Sequence, residues 1–347
     1  MLNTIQFLFF LFCLLSINFF FTKKNLMLDS IKNENHKKIS KFKINSKIPL
    51  SGGIFLYISS IIFLKDSNFF LFFSLLILLI GILSDLNILI KPYTRLYLQS
   101  FVIIVFLFFE NLYINNIRID FIDKYLLSIQ FVSLIFTAFC ILTLINGTNF
   151  IDGLNTLATG YFASSLFILI LISTKNNLSI DINLIKNFLL ILLIFLLFNF
   201  FGKSYLGDSG SYFLAFFTSQ IVINFANNNV SVSPYFVVLI LWYPAFENLF
   251  SIIRKLFIKK SPYKPDGMHL HQLIYIFFLN RKLISKMYLN TLIGILINTY
   301  NFLIIYISSL YYTKTHIIIF FILFNIFIYL IVYSFCFKTN KKLVRYE

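Results

Sequence analysis

Long apolar runs alternate with short polar segments along the whole chain. A membrane-crossing helix needs roughly 20 apolar residues, and eleven runs meet or approach that length, near residues 2–21, 49–64, 69–86, 96–113, 126–145, 156–173, 184–201, 211–226, 233–251, 287–310 and 316–337. The pattern predicts an all-α fold, a polytopic transmembrane helical bundle of about eleven spans. It forms a single membrane domain over 1–347, with basic cytoplasmic loops at 22–48 and 252–286.

The first run has no basic stretch before it and no small-residue cleavage signal, and Lys23 and Lys24 follow it directly. It therefore reads as an uncleaved anchor with the N-terminus outside. Eleven spans then put the C-terminus in the cytoplasm. In that orientation 23 of the 29 Lys and Arg residues lie in cytoplasmic segments, and the others are Lys65, Arg118, Lys124, Lys175, Lys186 and Lys314. Such an excess of cytoplasmic base is the usual mark of orientation.

Composition removes the alternatives of a soluble fold and a nucleic-acid partner. Of 347 residues 59% are hydrophobic and 12% charged, against about 25% charged in soluble domains. The net charge of +16 is spread between apolar runs and forms no stripe on a soluble module. Cys13, Cys140 and Cys336 all fall inside apolar runs, without a CxxC pair, so neither a disulfide framework nor a thiolate metal site is expected.

Acidic side chains in membrane helices cost about 2.5–3.5 kcal/mol on insertion scales, so acids at span ends call for a reason. Asp85, Asp152 and Asp208 all lie at such ends or in the loops that follow them, and the topology above turns all three to the cytoplasm. Asp85 has Lys91 and Arg95 nearby. A carboxylate beside bases can organise a phosphate and a cation; a helix-end acid that pairs with Arg95 or faces water serves as well.

The segment Asn146-Gly-Thr-Asn-Phe-Ile-Asp-Gly-Leu-Asn155 places Asn146, Asn149, Asp152 and Asn155 at intervals of three. Residues three apart are neighbours on a helical turn, so Asn149 and Asp152 can face one hard cation or one phosphate. A polar turn between spans is the plainer alternative. Between Phe201 and Ser211, Lys203 precedes Gly207-Asp208-Ser209-Gly210 and a new helix. Helix N-termini suit anions, and Asp208 offers oxygen to Mg²⁺; a simple capped helix start would also account for Asp208 and Ser209. In the second basic loop, His269 and His271 form an HxH pair near Arg254, Lys255, Lys259 and Lys260. No Cys or third His nearby completes a tetrahedral zinc site, which favours phosphate binding. Glu110 reads as an interfacial acid, and Glu247 as a local ion pair or an anchor for the basic loop.

These segments together resemble the polyprenyl-phosphate N-acetylhexosamine-1-phosphate transferases, the MraY/WecA-like group of glycosyl transferase family 4. The likeness runs from Pro49-Leu-Ser-Gly-Gly53 to His271-Gln-Leu-Ile274. Tyr243-Pro-Ala-Phe-Glu-Asn-Leu-Phe-Ser-Ile-Ile-Arg254 and Pro265-Asp-Gly-Met-His-Leu-His-Gln272 look most like bacterial members that begin surface polysaccharide chains. The resemblance implies transfer of N-acetylhexosamine-1-phosphate from a UDP-sugar to undecaprenyl phosphate, releasing UMP. It implies catalytic carboxylates at Asp85, Asp152 and Asp208, with Asp208 and Asn149 holding Mg²⁺, for which Mn²⁺ could substitute. It further implies substrate contacts at Asn146, Asn155, Lys203, His269, His271 and Arg95, with Asn155 at the uracil position. In one departure, Ser84 stands where the family's acid pair has its first Asp.

The implied setting is the bacterial inner membrane, with the site on the cytoplasmic face. The implied partners are the lipid bilayer and the two substrates, and a homodimer is left open. Three competing readings remain at this level: a lipid-linked sugar transporter or flippase, which should carry polar groups at mid-span depth; a polytopic scaffold, which leaves the Asn/Asp spacing unexplained; and a catalytically degenerate member, for which Ser84 is the argument.

Overall fold

The computed structural model describes residues 4–29, 48–64, 68–262, 266–281 and 286–344, except for the side chains of 286, 287 and 341–344. Most of the basic loop expected at 22–48, part of that at 252–286, and Lys65 lie outside the described residues. The helices are α1 (Thr4–Lys24), α2 (Gly52–Ile61), α3 (Asn68–Asp85), α4 (Pro92–Glu110), α5 (Asp120–Ser128), α6 (Gln130–Ile151) and α7 (Leu157–Asn176). They continue with α8 (Ile182–Phe200), α9 (Gly207–Asn228), α10 (Pro234–Ile240), α11 (Trp242–Phe257), α12 (Leu270–Asn280), α13 (Lys286–Ser309) and α14 (Thr315–Val344). A two-residue antiparallel pair, β1 (Leu28–Asp29) with β2 (Ile48–Pro49), is the one departure from helix among the described elements.

The chain is a polytopic helical membrane protein. Among the described residues eight helices are long and apolar enough to cross a bilayer, or nine if the bent pair α10 and α11 is one span, where the sequence suggests about eleven. Three of the expected spans account for the difference. The run 49–64 forms only the ten-residue α2, about 15 Å long at 1.5 Å per residue. The run 211–226 lies in α9, a 22-residue helix carrying Ser211, Thr218, Ser219, Gln220 and Asn224. It packs against α2, α3 and α6, and most of it is buried, so protein replaces lipid around it.

The third, 233–251, breaks at Leu241, where α10 and α11 meet at 79°. Pro244 has no N–H to return to the Ile240 carbonyl, which ends the helical ladder there. That carbonyl instead accepts from Tyr161 Oη at 2.8 Å and Ser165 Oγ at 3.1 Å. The lost bonds are therefore replaced inside the bundle, as a non-aqueous interior demands.

Aromatic packing ties the centre together. Phe216 lies 5.7 Å from Phe70 and 5.0 Å from Phe106, and Phe217 lies 4.1 Å from Phe188, ring centre to ring centre. These contacts join α3, α4, α8 and α9. At the end of the bundle where α9 finishes, Arg118 donates to the carbonyls of Val230, Ser231, Val232 and Thr313 and to Thr315 Oγ1. This clamp leaves the opposite end, where α9 begins, to the acids and amides described next.

Candidate active site

The site grows from the first turn of α9. Gly81 on α3 meets that turn so closely that a Cβ there would sit 2.3 Å from Ser209 Cα, and close approach of this kind is what glycine permits. Gly207 begins the helix at φ +74°, a left-handed conformation that other residues rarely adopt. The Asp85 carboxylate then accepts the Asp208 N–H at 2.8 Å and the Ser209 N–H at 3.1 Å. It thus satisfies donors that a helix start leaves open.

Held this way, the Asp208 side chain meets three neighbours. Oδ1 accepts from Asn149 Nδ2 at 2.6 Å, on the last turn of α6. Oδ2 accepts from Ser84 Oγ at 2.5 Å and from Arg95 Nη1 at 2.8 Å. Arg95 Nη1 also donates to Ser84 Oγ at 2.6 Å and reaches Tyr212 Oη at 3.4 Å. Asp85 does not take Arg95 as its partner, the pairing that the sequence left open; Arg95 goes to Asp208. Ser84 keeps its place in the cluster as a hydrogen-bond bridge, without the charge of an acid.

Asp152 follows α6 as its C-cap, three residues beyond Asn149. It lies close to Tyr205, whose phenol is pushed up to about 12, first by burial and then by the Asp152 charge. Asn155 turns toward α13: its backbone N–H donates to Asn290 Oδ1 at 2.6 Å and its Nδ2 approaches Thr291 Oγ1 at 3.4 Å. Asn146 bonds back to Leu142 O of its own helix at 2.8 Å. Lys203 is exposed, with its ammonium 5.9 Å from the centre of the Phe201 ring.

A second network is centred on Glu247 of α11, which is 1% exposed. Its Oε1 lies 2.9 Å from His269 Nδ1 and accepts the Leu270 N–H at 3.3 Å, while Oε2 accepts from Tyr329 Oη of α14 at 2.9 Å. Arg254 grips Asp266 through Nη1 at 2.8 Å and Nη2 at 3.1 Å. Burial alone would raise the Asp266 carboxyl, yet the Arg254 hydrogen bonds and charge hold it below its usual range. His269 and His271 stack with ring centres 5.8 Å apart and planes 12° apart. The His271 ring is fully buried against Gly153, with no hydrogen-bond partner for either nitrogen, and burial pulls its imidazole down to about 3. His269 commits Nδ1 to Glu247.

Among the described residues no three His, Cys, Asp or Glu side chains gather as a metal cage. The oxygen donors beside Asp208 still suit a hard cation that keeps waters and binds through one or two carboxylates together with phosphates, as Mg²⁺ does. Asn149 donates its NH₂ as placed, and turned over it would present its oxygen.

Residues 68–226, from the start of α3 almost to the end of α9, match the model of glycosyl transferase family 4. Over that stretch the chain is similar to the family. It is 28% identical over 264 residues, 76% of this chain and 77% of the relative, to the undecaprenyl-phosphate alpha-N-acetylglucosaminyl 1-phosphate transferase of Thermotoga maritima. It is also 28% identical over 149 residues, 42% of each chain, to the probable undecaprenyl-phosphate N-acetylglucosaminyl 1-phosphate transferase of Bacillus subtilis. The family match takes in Asp85, Arg95, Asn149, Asp152, Asn155, Lys203 and Asp208, and ends before Glu247, Asp266, His269 and His271.

Several contributors escape a reading by motif. Tyr205 and Tyr212 look like ordinary aromatic positions, and Tyr329 lies 82 residues from its partner Glu247. Asn290 and Asn298 of α13 did leave a signal, since amides recur there on one face of an otherwise apolar run; Asn298 Nδ2 donates to Thr156 O at 2.8 Å.

Proposed function

We propose that this protein belongs to glycosyl transferase family 4 and transfers N-acetylhexosamine-1-phosphate from a UDP-sugar to a polyprenyl phosphate such as undecaprenyl phosphate, beginning a lipid-linked surface polysaccharide. The reaction takes place at the cytoplasmic face of the inner membrane and requires Mg²⁺, or Mn²⁺ in its place. The observation that carries this reading is the convergence of Asn149, Arg95 and Ser84, from three helices, on the Asp208 carboxylate at the start of α9. The names of the two relatives support the choice of lipid acceptor and sugar phosphate.

In the reaction an oxygen of the lipid phosphate forms a bond to the β-phosphorus of the UDP-sugar. The bond from that phosphorus to the bridging oxygen breaks, and UMP leaves with the electron pair. A phosphate monoester, with a second pKa near ~6, is largely ionised at neutral pH, so the acceptor needs little help from a base. Positioning and charge neutralisation dominate such transfers.

Asp208 and Asn149 would hold the divalent cation, whose charge stabilises the diphosphate oxygens. Arg95 and Lys203 bind phosphate oxygens, Asn155 orients the nucleoside, and His269, fixed by Glu247, faces the diphosphate and sugar. Asp85 sets the α9 turn, and Asp152 completes the polar wall.

The test is UMP release by the purified protein from a panel of UDP-N-acetylhexosamines. Release should require both polyprenyl phosphate and a divalent cation, and Asp208→Asn should reduce it by more than about 100-fold while the protein still inserts and folds. Release independent of the lipid, or full activity in Asp208→Asn, would overturn the proposal.

A further inference from the structure

Asp208 Oδ2 already accepts two hydrogen bonds, from Ser84 Oγ at 2.5 Å and Arg95 Nη1 at 2.8 Å. A carboxylate oxygen offers about two lone-pair sites, so a cation can bind Oδ2 only by displacing one of these donors. Ser84 is neutral and can rotate its proton away. Arg95 carries a full charge that repels a divalent ion a few ångströms away, and such repulsion is weakly screened in a partly buried site.

Arg95 is also the neighbour better able to leave. Its hydrogen bonds within the described residues all start from Nη1, and apart from Asp208 they go to the neutral oxygens of Ser84 and Tyr212. The side chain is 22% exposed and stands in the first turn of α4, just after Pro92. A released guanidinium there offers a two-pronged donor matched to phosphate.

We infer that Arg95 exchanges partners, holding Asp208 Oδ2 until a divalent cation takes that oxygen, then turning its guanidinium to a phosphate of the substrate. The inference rests on the reading of Asp208 as a cation ligand. It makes cation and phosphate binding mutually reinforcing, because each favours the arrangement in which Arg95 has left Asp208. Ser84 supports the exchange: its hydroxyl keeps one bond to Oδ2 while Arg95 moves.

The experiment measures Mn²⁺ binding by electron paramagnetic resonance on the full chain in detergent, with and without UMP as the phosphate-bearing probe. In the wild type UMP should tighten Mn²⁺ binding about tenfold, and Mn²⁺ should tighten UMP binding by the same factor. Arg95→Ala should bind Mn²⁺ about tenfold more tightly without UMP, because the competing charge is gone, and should lose the coupling to UMP. Arg95→Gln, which keeps a donor but no charge, gives the same readout if the alanine variant fails to fold. Arg95→Lys should bind Mn²⁺ like the wild type with weaker coupling.

Wild-type binding of Mn²⁺ with no tightening in either uncharged variant, or with coupling intact, overturns the exchange alone. Wild-type protein that does not bind Mn²⁺ overturns the cation reading of Asp208 and the exchange with it.

Discussion

Asp85 holds Asp208 by its backbone, with Asp85 Oδ1 accepting the Asp208 N–H at 2.8 Å. The acid that ends α3 thereby sets the direction in which the acid that starts α9 points. Asp85→Ala would leave two N–H groups at the start of α9 without an acceptor, which costs about 1–2 kcal/mol for a capping group. Amide exchange at Asp208 and Ser209 should speed up and UMP release should fall, while Asp85→Asn, which retains one acceptor, should show a milder change. Unaltered exchange at both amides in Asp85→Ala would refute the capping role.

The contact between α3 and α9 makes a second prediction. A Cβ at Gly81 would lie 2.3 Å from Ser209 Cα and 2.6 Å from Ser209 N, and neither atom can move without the helix. Gly81→Ala should therefore cost about 1–3 kcal/mol by overpacking and lower the melting temperature of the detergent-solubilised protein. Leu79→Ala, at a position 42% exposed on the same helix, serves as the control and should change it little.

Glu247 is the hub of the second network. Its removal in Glu247→Ala would strip the acceptor from His269, the Leu270 N–H and the Tyr329 hydroxyl, at a cost of about 3 kcal/mol for buried groups left unpaired. Tyr329→Phe should cost about 1 kcal/mol. In a double-mutant cycle the two changes should fall short of additive, because they share one hydrogen bond. Strict additivity would show that Tyr329 does not act through Glu247.

His271 sets an acid limit on stability. Burial lowers its folded-state pKa from 6.5 to about 3, so between these values the unfolded chain binds a proton that the folded chain does not. The stability present above pH 6.5 is lost as pH falls toward about 3, by up to about 1.4 kcal/mol per pH unit. Thermal melts between pH 7.5 and 5 should show the decline, and His271→Gln should remove its share of the slope. An identical slope in that variant would contradict the burial of a neutral His271.

Much of this architecture is written in the chain itself. Apolar run length identifies a membrane bundle, because lipid demands long uncharged helices whatever their neighbours. The interval of three sets Asn146 and Asn149 one turn apart near the end of α6, because local spacing on a helix follows from its geometry alone. The sequence's eleven runs and the eight or nine long apolar helices part at α2, α9 and the break at Leu241, because run length alone registers neither a short helix, nor polar residues along a helix packed in protein, nor a bend. Protein surrounds α9, and the carbonyl left open by Pro244 is satisfied by Tyr161 and Ser165 from another helix.

Only the tertiary structure decided who meets whom at the site. Asp85 could pair with Arg95 or face water as far as sequence is concerned. It caps α9 instead, because Gly81 lets α3 approach the exposed N–H groups of Asp208 and Ser209. Arg95 could serve any nearby acid, and it meets Asp208, its guanidinium 2.8 Å from Oδ2, in a bundle where α3 packs against both α4 and α9. Glu247 acquires Tyr329 from a helix far along the chain. Such partnerships depend on the distance between separate helices, which packing fixes and no local pattern records.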